Sequence, residues 1–79
     1  MASVLVDIDT RARLNINKWG PQDIETLVIA ATEELGELAQ AVLQHRHEGG
    51  NYDRIRDEAI DLAALCVQVI WRHLETKEG

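Results

Sequence analysis

A long segment with helical periodicity occupies the middle of the chain. From Ile24 to Leu43, apolar side chains recur at intervals of three and four residues, as in a helix that buries one face. The segment begins at about Pro21, with Asp23 close to its start, where negative charge offsets the helix dipole. It ends near His47. This pattern predicts a long amphipathic helix that must pack against another element.

Breaks on either side of this segment divide the chain into three. Trp19-Gly20-Pro21 separates it from a first segment, about Ser3 to Asn17, which has helical spacing, although its Val-Leu-Val opening could also be extended. Glu48-Gly49-Gly50-Asn51 forms a short turn before a third segment, about Tyr52 to Glu75. Because a short loop joins two long helices, we expect these two to be antiparallel neighbours. The sequence predicts an all-α fold with a three-helix protomer.

The size of the chain and its third segment both favour self-association. A single domain of 79 residues buries only about 60% of the surface that its unfolded chain exposes. From Ala59 to Trp71, only Asp61 and Gln68 are strongly polar, so the third helix is apolar around most of its circumference. We therefore expect a homodimer or homotetramer in which protomers pack into a helical bundle.

Composition excludes several classes of function. A net charge of −6 without a basic run argues against binding a nucleic acid polymer, and an anionic substrate would need a metal ion or a local group of cations. Cys66 is the only cysteine, and its apolar neighbours predict a buried structural thiol. No apolar stretch reaches the roughly 18 residues that span a bilayer, and the N-terminus lacks a leader pattern. We expect a cytoplasmic protein with no membrane partner.

Two pairs of acidic residues carry the functional prediction. Glu34 and Glu37 lie three residues apart on the second helix, and Glu58 and Asp61 repeat this spacing on the third. If the turn centres on the two glycines, antiparallel packing sets Glu37 level with Asp61 and leaves Glu34 within about a turn of Glu58. The four carboxylates can then converge between the helices, where a divalent cation would relieve their repulsion.

The competing interpretation is that these are solvated surface acids, which is the usual fate of any single pair. A metal site is favoured because Asp61 lies within an apolar block, where an unpaired charge is costly, and because the second pair lies at a matching height. Neither pair contains histidine, unlike the di-iron sites of helical bundles, so Mg²⁺ is the expected ion, with Mn²⁺ as a possible substitute.

At these residues the chain resembles a known family. Glu33-Glu34-x-x-Glu37, followed by Glu58-x-x-Asp61, is similar to the paired acidic signature of the MazG-like all-α nucleotide pyrophosphohydrolases. The surrounding sequence, from Ala31 to Ala39, is also similar to that of the family, and the resemblance runs from about Lys18 to Trp71. It implies one MazG-like helical domain over residues 1–79.

The resemblance also implies an activity. The enzyme would cleave a nucleoside triphosphate, (d)NTP, to (d)NMP and pyrophosphate, as in the house-cleaning of noncanonical nucleotides. Glu34, Glu37, Glu58 and Asp61 would hold Mg²⁺, with Glu33 as a further ligand or as the residue that orients the attacking water.

Five residues are candidates for substrate binding. Arg46 stands near the position where family members often carry a lysine. Arg54 could reach a phosphate, or it could pair with Glu58 four residues later. Trp19, next to Lys18, could stack on a base or pack in a core or interface. Arg72 could line the groove or complement the helix dipole.

Two alternatives remain open. One is a phosphoribosyl-ATP pyrophosphohydrolase-like enzyme of the same helical superfamily, which substrate profiling with Mg²⁺ would distinguish. The other is a non-catalytic oligomerisation or antitoxin-like module, whose acids only keep the bundle in solution. In that module, Glu37→Gln should leave pyrophosphate release unchanged.

Overall fold

The computed structural model describes residues 2–50 and 52–77, which form three α-helices. These are α1 (Ala2–Trp19), α2 (Ile24–Glu48) and α3 (Tyr52–Lys77), and no strand occurs among the described residues. The all-α, three-helix prediction is confirmed at this level, and the Val-Leu-Val opening of the first segment is helical. Asn51, assigned to the turn from sequence, lies outside the described residues.

The start of α2 differs from the sequence prediction. The helix begins at Ile24 and not at Pro21, because Asp23 has an extended backbone and is the N-cap. Its carboxylate accepts a hydrogen bond of 2.8 Å from the backbone N–H of Thr26, which satisfies one of the free donors of the first turn. Before it, Gly20 adopts a φ of 76°, a conformation that ends α1 at little steric cost.

The turn after α2 is built on the two glycines. Gly49 caps the helix in the left-handed conformation, with φ 66° and ψ 30°, which glycine adopts without the penalty of a Cβ atom. The backbone N–H of Gly50 then donates to the carbonyl of Gln44 at 3.2 Å. The N–H of Gly49 donates to the same carbonyl, so both glycines satisfy one of the free acceptors at the end of α2.

The central element is α3, which packs against both α1 and α2. The buried apolar side chains are few, and half of them are alanines: Ala12, Leu27, Ala41, Ile60, Ala64 and Leu65. Alanine at these contacts lets the helices approach closely. Among the described residues, the backbones of α1 and α2 do not come into contact, and a cleft lies between them.

An apolar groove remains open along the other side of the α2–α3 pair. Its lining includes Val28 and Leu35 from α2 and Ile70 from α3, and these side chains are 49%, 54% and 57% exposed. Cys66 also lines the groove and is exposed, so the prediction of a buried thiol was wrong. Its neighbours are apolar, as expected, but none of the described helices covers this face.

None of the three helices is both long enough and apolar enough to cross a lipid bilayer, within the part of the chain that the structure describes.

Candidate functional site

Three of the four predicted metal ligands converge where α2 meets α3. One carboxylate oxygen from each of Glu34, Glu37 and Glu58 lies within 4.8 Å of the other two. The three-residue spacing on α2 puts Glu34 and Glu37 on the same face, and the contact between α2 and α3 brings Glu58 to them. We call these three residues the glutamate triad.

The triad is partly shielded from water. Glu34 Oε2 and Glu58 Oε2 are buried and accept no hydrogen bond from any described residue, whereas Glu37 is exposed. Burial, together with the neighbouring carboxyls of Glu58 and Glu37, raises the pKa of Glu34 from 4.5 to about 7. Three ionised carboxylates this close repel one another, so a proton or a cation between them would stabilise the cluster.

The fourth predicted ligand, Asp61, has a different partner. Its carboxylate forms an ion pair with the guanidinium of Arg11, which α1 supplies. Both side chains are partly exposed, 41% for Arg11 and 29% for Asp61. Asp61 nevertheless lines the same cleft as Glu34, so it lies beside the triad but is not one of its members. Its assignment as a metal ligand stays a prediction.

The cleft has a volume of about 430 Å³ and is open to solvent. The acidic side is formed by Glu34 and Asp61. The opposite side carries polar and aromatic groups from α1 and the linker that follows it: Arg11, Asn15, Trp19 and Gln22. A carboxylate edge facing a cation, two amides and an indole is suited to a ligand that carries both phosphate and an aromatic ring.

Sequence reasoning missed Arg11, Asn15 and Gln22. A signal was available for the first two, because they lie four residues apart and flank the buried Ala12 on one side of α1. Asn15 Nδ2 also donates at 2.9 Å to Oε1 of Gln68, which is only 3% exposed. This bond satisfies a buried amide oxygen and fixes the Asn15 side chain at the cleft.

Among the five candidates for substrate binding, Trp19 lies at the cleft. Trp19 is 63% exposed, so it is not packed in the core of the described chain. Lys18 Nζ lies 5.0 Å from the centroid of the Trp19 ring, a cation–π distance.

The remaining predicted residues lie outside the cleft lining. Arg54 Nε is 3.7 Å from Glu58 Oε1. This is the ion pair that the sequence offered as the alternative to a phosphate-binding role. The Arg54 guanidinium also donates to Gln44. Arg72 donates to Glu75 at 3.3 Å. Arg46 and Glu33 are exposed on α2.

Comparisons with known proteins give no match: no family model fits the chain, and no curated protein or solved structure is similar to it. The resemblance noted from the acidic pairs therefore rests on the residues themselves, and the geometry of the site carries the functional argument.

Proposed function

We propose that this chain is a Mg²⁺-dependent pyrophosphohydrolase that cleaves a (d)NTP to a (d)NMP and pyrophosphate. The main support is the glutamate triad, in which two buried carboxylate oxygens have no hydrogen-bond partner among the described residues. Such oxygens are costly to bury unless something positive meets them. A hard divalent cation prefers oxygen ligands of this kind, and the triad contains neither the imidazole nor the thiolate that would favour a softer metal.

The ligands in this proposal are Glu34, Glu37 and Glu58, with Asp61 as a fourth once it leaves Arg11. When bound, Mg²⁺ supplies positive charge to the phosphates, polarises the scissile anhydride and lowers the pKa of a bound water. Mn²⁺, which accepts the same oxygen ligands, is a possible substitute.

The proposed reaction is a hydrolysis at the α phosphorus. A water oxygen forms a bond to that phosphorus, the bond from it to the oxygen bridging the α and β phosphates breaks, and pyrophosphate leaves with the electron pair. Glu33, exposed beside the triad on α2, would orient the water and take its proton. Trp19 would stack on the base, and the role would be removal of noncanonical nucleotides in the cytoplasm.

The assembly we propose has α2 and α3 antiparallel and two or more copies of the chain packed on the apolar groove. The contacts support the antiparallel direction: Arg54 donates to Gln44 close to the turn, and Glu58 lies near Glu37 further from it.

The overall dimensions support self-association. The radius of gyration is 13.9 Å, against about 11.6 Å for a compact domain of this length. A second copy over Val28, Leu35 and Ile70 would bury the surface that the protomer leaves exposed.

If copies of the chain pack on the apolar groove, a charge placed in the groove should separate them. Ile70→Glu should lower the measured mass to that of a single chain, because each copy would bring an unpaired carboxylate into the interface. Size-exclusion chromatography with light scattering measures this. Leu5→Glu is the matched control, since Leu5 is 62% exposed on α1 and is not among the residues lining the groove. An unchanged mass for Ile70→Glu would show that this face is not the interface.

The activity is tested by a screen of canonical and noncanonical (d)NTPs, and phosphoribosyl-ATP, for pyrophosphate release. We expect release with Mg²⁺ or Mn²⁺, and loss of release when a chelator is added, because the phosphate charge is then no longer neutralised. Turnover of phosphoribosyl-ATP alone would assign the narrower activity. Absence of release from every compound, with the protein folded and oligomeric, would favour a non-catalytic module.

A further inference from the structure

Arg11 is a cation of the cleft that the sequence prediction did not include. This inference rests on the proposed function and concerns how the cleft holds its anionic substrate. Among the described basic residues, Arg11 is the one that lines the cleft beside Glu34 and Asp61. The basic residues considered from sequence lie elsewhere or, as with Arg54, are engaged with other side chains.

The geometry of Arg11 leaves it able to bind a second group. A guanidinium has five N–H donors in a planar fork, and the contact with Asp61 is made by one nitrogen, Nη1. The Arg11 side chain is 41% exposed, so part of it faces the solvent of the cleft. Bidentate contact with phosphate is the interaction for which this fork is best suited.

Arg11 is also not the only attachment between α1 and α3. Ala12 is fully buried, and Asn15 donates to the buried Gln68. These contacts fix the same helix to the same partner without using a charge. The Arg11–Asp61 ion pair is partly exposed, and such pairs contribute little to folding stability, so a purely structural role leaves its position in the cleft unexplained.

We propose that Arg11 is the phosphate-binding residue of the cleft, and that it exchanges Asp61 for a substrate phosphate when a divalent cation takes the Asp61 carboxylate. Charge favours the Arg11–Asp61 pair when no metal is bound and favours its exchange when a cation is bound. In the absence of metal, Arg11 and Asp61 neutralise each other. A cation beside the triad attracts the carboxylate and repels the guanidinium, and the phosphates of the substrate then offer Arg11 a new partner.

Two binding measurements that do not need turnover test this exchange. The first is the affinity for Mn²⁺ alone, read by electron paramagnetic resonance. The second is the affinity for tripolyphosphate, a triphosphate without a base, measured by calorimetry with saturating Mg²⁺. The variants are Arg11→Gln and Arg11→Lys, with circular dichroism to check folding. Arg13→Gln is the matched control from the same helix, because Arg13 is exposed and pairs with Asp9 at 3.0 Å.

We expect Arg11→Gln to bind Mn²⁺ several-fold more tightly, since Asp61 no longer has a competing partner, and tripolyphosphate about tenfold or more weakly, since a charge-assisted contact is lost. Arg11→Lys should fall between Arg11→Gln and the wild type for tripolyphosphate, and it provides the test if Arg11→Gln does not fold. Unchanged tripolyphosphate affinity, or weaker Mn²⁺ binding, would overturn the exchange. Failure of the wild-type protein to bind Mn²⁺ would instead overturn the proposed function.

Discussion

Glu58→Gln is expected to abolish pyrophosphate release and, at the same time, to stabilise the metal-free protein. The activity should fall on the order of a thousandfold or more, because a metal ligand that supplies several kcal/mol of charge stabilisation is lost. The melting temperature should rise by a few degrees, since the buried Glu58 Oε2 has no hydrogen-bond partner among the described residues and Glu34 and Glu37 lie against it. This relief exceeds the loss of the ion pair with Arg54, which is long at 3.7 Å and of a kind that contributes little to stability. A pyrophosphate assay and thermal unfolding followed by circular dichroism measure the two effects.

A loss of activity together with a gain in melting temperature distinguishes a functional carboxylate from a structural one. Asp57→Asn is the matched control, because it also removes one negative charge, at the residue next to Glu58. The Asp57 side chain is 65% exposed. It should change neither activity nor melting temperature appreciably. If Glu58→Gln lost activity only together with its helical signal, the triad would be a structural element. If it kept full activity, the triad could not be the metal site.

Local features of the sequence were sufficient to predict the helices and the turn between α2 and α3. The apolar spacing of α2 favours a helix and the Gly49-Gly50 pair favours a turn, and the structure has both. The predicted start of α2 at Pro21 was three residues too early, because α2 begins at Ile24 and the Asp23 side chain, not the proline, decides where the first turn is capped. Boundaries of this kind depend on one hydrogen bond and shift by a few residues without changing the fold.

Features that depend on packing between distant segments were harder to predict. Spacing alone could bring the acids of α2 and α3 near each other, but it could not show that Arg11, fifty residues away in the chain, pairs with Asp61. That contact depends on how α1 crosses α3. Cys66 illustrates the same limit, since its apolar neighbours are equally compatible with a core and with a face that the chain's own helices leave open.

The second large effect expected is a dependence of Mg²⁺ affinity on pH. Because the pKa of Glu34 is raised to about 7, this carboxyl is mostly protonated at pH 6 and mostly ionised at pH 8. Only the ionised form is a ligand, so Mg²⁺ must displace a proton at the lower pH. Affinity should therefore be about tenfold weaker at pH 6 than at pH 8. Calorimetry in two buffers of different ionisation enthalpy would measure both the affinity and the proton released.

The same carboxyl should make the metal-free protein less stable as pH rises. The raised pKa means that the folded state favours protonated Glu34, so its stabilising contribution is complete below about pH 4.5 and is lost as pH rises through about 7. Glu34→Gln keeps a neutral polar group of similar shape and should remove this part of the dependence, whereas Glu25→Gln, at an exposed position in the first turn of α2, should retain it. A Mg²⁺ affinity that is flat between pH 6 and 8, with no proton released, would contradict a Mg²⁺ ligand of raised pKa at Glu34.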